Sequence, residues 1–134
     1  MSGLLAILDK IKTRPGMYIG RPSVSDLCMF LVGYKTARRE LGVEPTEEEL
    51  DFYGEFQPWL QKRLGITTVS SWAKMIMLSC HDEKAGFEYF YRLLDEFKQR
   101  DKSLDREEVK EISESVESRG KSLGVRGGAV GRVE

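Results

Sequence analysis

The sequence predicts an all-α protein: a compact bundle of five or six helices over residues 1–101, with an extended Pro-Gly joint between the first two, then a charged, glycine-rich tail over residues 102–134. Three observations carry this prediction. Apolar residues recur at i, i+3, i+4 and i+7 in successive windows, the spacing of one buried helix face. Ser, Thr and Asp, whose side chains cap helices, precede those windows, and glycine closes several of them. Strand-length alternation of apolar and polar residues never recurs, which leaves helix packed on helix as the economical architecture.

The first helix runs from Ser2, a candidate N-cap, with Leu4, Ile7, Leu8 and Ile11 on one face and Lys10, Lys12 and Arg14 near the end where cations complement the helix dipole. Arg14-Pro15-Gly16-Met17-Tyr18-Ile19-Gly20 follows. Proline restricts φ and glycine permits positive φ, so Arg14, Pro15, Gly16, Met17, Tyr18 and Gly20 read as an architectural joint whose apolar side chains form an extended, buried plug. Ser23 or Ser25 caps the second helix, whose stripe is Leu27, Phe30, Leu31, Tyr34, Ala37 and Leu41, ended by Gly42.

Pro45-Thr46-Glu47-Glu48-Glu49 announces the third helix, since Thr46 and Glu49 have capping-box spacing and an acidic first turn suits the positive helix end. Its face is predicted to run through Leu50, Tyr53, Phe52 or Phe56, Trp59, Leu60 and Leu64 to Gly65, with Pro58 kinking or dividing it. A short β-prone link, Ile66 to Val69, leads to Ser70 or Ser71 as the cap of a fourth helix bearing Trp72, Met75, Ile76 and Ser79. Trp59 and Trp72 belong to apolar helix patterns and are assigned to the core. The fifth helix starts at Asp82-Glu83 and carries Phe87, Phe90, Tyr91, Leu94 and Phe97 on one broad face. In the tail, Val109, Ile112 and Val116 make a thin stripe, and the glycines and cations after Gly120 read as a flexible basic end.

The chain has 134 residues, with 21 basic against 22 acidic side chains and a net charge of -1. No global field therefore favours nucleic acid or an anionic membrane. The first twelve residues lack a secretory pattern and no apolar run approaches the roughly 20 residues that span a bilayer, so a soluble, cytoplasmic protein is expected. Cys28, in an apolar helical pattern, reads as a reduced core residue. Two distant cysteines and one histidine give no metal-ligand spacing, and no metal or cofactor is expected. Cys80-His81-Asp82 has the composition of a catalytic triad, but consecutive residues do not converge, so His81 reads as a capping or exposed residue and no catalytic residue is assigned. Gly120-Lys121-Ser122 lacks the glycine and strand of a phosphate-binding loop. Glu47, Glu48, Glu49, Asp51 and Glu55 crowd one helix start. They read as a solvated cap or, more sharply, as an acidic surface for a basic partner.

The heptapeptide resembles one near the start of the ATPase domain of gyrase B subunits. The helix that should then bring a catalytic Glu and a magnesium-binding Asn reads Leu-Val-Gly-Tyr-Lys-Thr-Ala-Arg-Arg-Glu, so that activity is not carried over. A second resemblance covers residues 7 to 97. Ile-Lys-Thr-Arg-Pro-Gly-Met-Tyr-Ile-Gly, Leu-Cys-Met-Phe-Leu-Val-Gly-Tyr, Phe56-Gln-Pro-Trp59-Leu, Ser71-Trp72-Ala-Lys-Met-Ile and Phe87-Glu-Tyr-Phe-Tyr-Arg-Leu-Leu-Asp-Glu-Phe are similar to a family of small bacterial cytosolic proteins that accompany polymorphic or contact-dependent toxins. That resemblance implies a non-enzymatic immunity protein that blocks the active site or substrate access of a cognate toxin. The acidic stretch from Glu47 to Glu55 is the first expectation for its contact surface. The alternative is a regulatory or scaffold module that docks through its tail.

Overall fold

In the computed structural model, residues 3–67 and 70–102 are described. Ser2, Val69 and the tail residues Val109, Ile112, Val116 and Gly120 onward lie outside them. The described residues form six helices and no strand: α1 (Leu4–Thr13), α2 (Pro15–Ile19), α3 (Val24–Glu40), α4 (Glu47–Leu64), α5 (Trp72–Met77) and α6 (Glu83–Lys98). All six lie within one compact unit, Met1–Gln99.

The joint is helical, which corrects the extended plug. Arg14 alone leaves the helical region (φ -135°, ψ 66°), held out of it by the proline that follows, and Pro15 then opens α2 at a position where its missing N–H costs nothing. The short turn therefore points Met17 outward, 67% exposed, while Tyr18 and Ile19 are half-buried against the core. Gly20 closes it at φ +85°, a conformation that favours glycine.

The side chains of Ser23, Thr46, Ser71 and Asp82 cap α3, α4, α5 and α6, each accepting from the backbone N–H three residues on. Gly65 ends α4 in the left-handed conformation. Pro58 lacks the N–H that would reach the Gly54 carbonyl, yet α4 remains one helix.

The core is aromatic. Phe52 and Phe56 of α4 both face inward and meet Phe90 and Phe97 of α6, with Phe56 at 5.7 and 5.2 Å between ring centroids. Trp72 stacks on Phe90 at 4.8 Å and Trp59 meets Phe97 at 5.5 Å, so both tryptophans pack against the core with an edge left in solvent. On α6 the five predicted residues are all buried, and the Tyr91 hydroxyl donates to the Leu8 carbonyl of α1 at 2.7 Å. Gly86 lets α6 pack tightly against α3 and α5: a Cβ there would lie 2.6 Å from Val24 Cγ1 and 2.8 Å from Met77 Sδ.

Two predicted stripes run too far. Leu27 and Leu31 of α3 are buried and Phe30 and Tyr34 half-buried, but Ala37 is exposed and Leu41 is 79% exposed, because α4 meets the end of α3 through Arg38 and Lys35 and leaves these two positions uncovered. Leu50 of α4 is likewise 56% exposed. Ser79 lies in solvent while Ala73 takes the buried place on α5.

Candidate functional site

The acidic start of α4 does not form one surface. Glu49 is 2% exposed and functions inside the fold. As the third residue of α4, it accepts from the Thr46 backbone N–H at 2.8 Å through Oε1, while Thr46 Oγ1 accepts from the Glu49 N–H, closing the capping box. Oε2 accepts from the Leu4 N–H of α1 at 2.8 Å. That helix has Gly3 (φ +91°) as its N-cap and no side-chain cap of its own, so a glutamate 45 residues away supplies the acceptor. A Cβ on Gly3 would lie 2.9 Å from Oε2, hence the glycine. Arg38 completes the node, with its guanidinium 2.9 Å from Oε2 and 3.0 Å from Oε1. Burial alone would raise the Glu49 pKa, but the Thr46 and Leu4 N–H donors and Arg38 outweigh it and hold the carboxyl below its usual range.

Glu83 repeats the device at the start of α6. It accepts from the Ser23 and Ser25 hydroxyls at 3.0 and 2.8 Å and from the Ser25 N–H at 2.9 Å, capping α3 across the interface. Burial opposes its ionisation and these donors more than offset it, so its carboxyl is also held low.

Of the remaining carboxylates, Glu47 and Glu48 are exposed, whereas Asp51 and Glu55 are half-buried. The surface that survives is an acidic edge at Glu47 and Glu48, with Leu50 one turn further along the helix.

Beside this edge, between the end of α3 and the start of α4, lies a cleft of about 280 Å³ whose walls include Lys35, Arg38, Arg39, Val43, Leu50 and Tyr53. Lys35 Nζ sits 4.4 Å from the centre of the Tyr53 ring, a cation over a ring face. Lys35, Arg38 and Arg39 stand close together along α3, and the start of α4 closes the cleft against them.

The heptapeptide contributes a shallower hollow of about 420 Å³ lined by Asp9, Lys10, Thr13, Arg14, Met17 and Tyr18. Cys80, His81 and Asp82 do not assemble as a triad. His81 is exposed with Nε2 3.3 Å from Asp82 Oδ2, Asp82 accepts from the Ala85 N–H as the cap of α6, and burial pushes the Cys80 thiol pKa up. Among the described residues no group of three or more His, Cys, Asp or Glu could hold a metal ion, and no helix is long and apolar enough to cross a membrane.

Fold and site together define an all-α helical domain with an acidic edge and an adjoining basic, apolar cleft. The chain matches no known family, no curated protein and no solved structure.

Proposed function

We propose that this is a non-enzymatic binding protein of the bacterial cytoplasm, an immunity protein that occludes the active site or substrate access of a cognate toxin. The observation that supports it is the start of α4, where Glu47 and Glu48 stand in solvent and Leu50, 56% exposed, lies in the next turn. Charges that steer a cationic partner beside an apolar anchor are the makings of a docking edge. The resemblance over residues 7 to 97 supplies the class of partner.

The test is protection. The chain is co-expressed with the C-terminal domain of a secreted toxin encoded beside its gene, and growth is followed. Wild type rescues growth, and Glu47→Lys with Glu48→Lys slows association by about tenfold or more at low salt. Rescue with unchanged association kinetics would remove the acidic edge. Absence of rescue and of complex formation would remove the immunity reading.

A further inference from the structure

The α3–α4 cleft carries a chemistry of its own, opposite in sign to the acidic edge. The end of α3 faces the start of α4 across this cleft and lines it with Lys35, Arg38 and Arg39. Two of these cations are occupied. Arg38 is bound to Glu49, and Lys35 lies over the Tyr53 ring, holding that ring as a wall. Arg39 is exposed and its side chain forms neither an ion pair nor a hydrogen bond with the described residues. Two carboxylates, Glu44 and Glu49, line the same cleft with the three cations, so the lining carries a net charge of +1. The rest of the lining is apolar: Val43 is 43% exposed and Leu50 opens onto the same space.

We propose that this cleft receives a segment of a partner protein in which a single carboxylate stands beside a bulky apolar side chain. The carboxylate pairs with Arg39, and the apolar group covers Val43, Leu50 and the free part of Tyr53. The volume suits one bulky side chain. A lining with one net positive charge accommodates one negative charge, and the exposed Glu44 on the wall repels the second charge of a phosphate. A nucleic-acid backbone or phosphorylated ligand is therefore the poorer occupant. The inference stands whether or not the partner is a toxin, since it rests on the cleft alone.

The full-length ¹⁵N-labelled protein is titrated with the capped dipeptide acetyl-phenylalanyl-aspartyl amide, with its neutral isostere acetyl-phenylalanyl-asparaginyl amide, and with inorganic phosphate. The aspartyl peptide is expected to shift the backbone resonances of Arg39, Val43, Leu50 and Tyr53 saturably. It should bind about tenfold more tightly than the asparaginyl peptide, the effect of one charge-assisted hydrogen bond. Arg39→Gln, at an exposed position, should abolish that preference while leaving the rest of the spectrum in place, and Leu50→Ser should weaken both peptides. Equal affinity for the two peptides, shifts centred away from the cleft, preference for phosphate, or no saturable shift at all would each overturn the proposal.

Discussion

Glu49 shows how much one side chain can hold. Its carboxylate satisfies the first N–H of α1 and the cap of its own helix, and it neutralises Arg38, so removing it strands two backbone donors and leaves a cation without its partner. Glu49→Ala is expected to lower stability by about 2–4 kcal/mol, read from urea unfolding. A loss within error of zero would show that water replaces the node. The same group sets a pH dependence. Its folded pKa is depressed, so the stabilisation is complete above the unfolded value of about 4.3 and is lost as pH falls through the lower folded value. The urea midpoint of the wild type should therefore fall below about pH 4.3, and Glu49→Gln should flatten that dependence. Parallel slopes for the two proteins would assign the acid sensitivity to other carboxylates, Glu83 first. From the sequence, the Thr46–Glu49 spacing disclosed the capping box. The other two partners, 45 and 11 residues away, were invisible, because local spacing carries no information about which helix end is brought alongside.

At the scale of elements, the side-chain caps of α3 to α6 transferred directly from sequence to structure, whereas the Ser2 cap expected for α1 gives way to Gly3 and Glu49, and burial did not transfer. A side-chain cap from the N-cap residue is settled within four residues, whereas the buried length of a stripe, like the caps that Glu49 and Glu83 supply from a distance, depends on where the neighbouring helix lies. The amphipathic pattern of α6 matches its buried face because α6 is covered along its length, while the pattern of α3 overruns because α4 meets its last turns only through Lys35 and Arg38. α2 makes the same point in miniature, since Pro-Gly, whose local chemistry suits an extended joint, starts a helical turn. Met17→Ala should consequently change stability by no more than about 0.5 kcal/mol, as for any exposed side chain, against about 2–5 kcal/mol for Ile11→Ala in the fully buried face of α1. Comparable losses at both positions would put Met17 back in the core. The α3–α6 crossing offers a further check. Gly86→Ala pushes a methyl against the stiff β-branched side chain of Val24 and should cost about 1–3 kcal/mol through overpacking, seen as a lower melting temperature. An unchanged melting temperature would mean that the two helices can separate freely.

Over the whole molecule, the aromatic cluster ties α4 and α6 together, with Phe56 in contact with Phe52, Trp59, Trp72, Phe90 and Phe97. Phe56→Ala is expected to cost about 3–5 kcal/mol and to expose hydrophobic dye-binding surface well below the wild-type unfolding temperature. A cooperative transition only slightly lowered would show that the remaining rings close over the cavity. The candidate surfaces lie away from this cluster, at the end of α3 and the exposed start of α4, so variants there should alter binding without altering the unfolding transition.

By itself the sequence determined the helical class, most helix starts, the left-handed glycine at 65 and the inward face of α6, because each depends on neighbours within a few positions along the chain. Only the tertiary structure decided that Glu49 is an internal tie and not a surface charge, that Met17 faces solvent, and that Lys35, Arg38 and Arg39 share a cleft with Val43 and Leu50. These depend on which distant segments come to lie against one another, and on where a neighbouring helix stops.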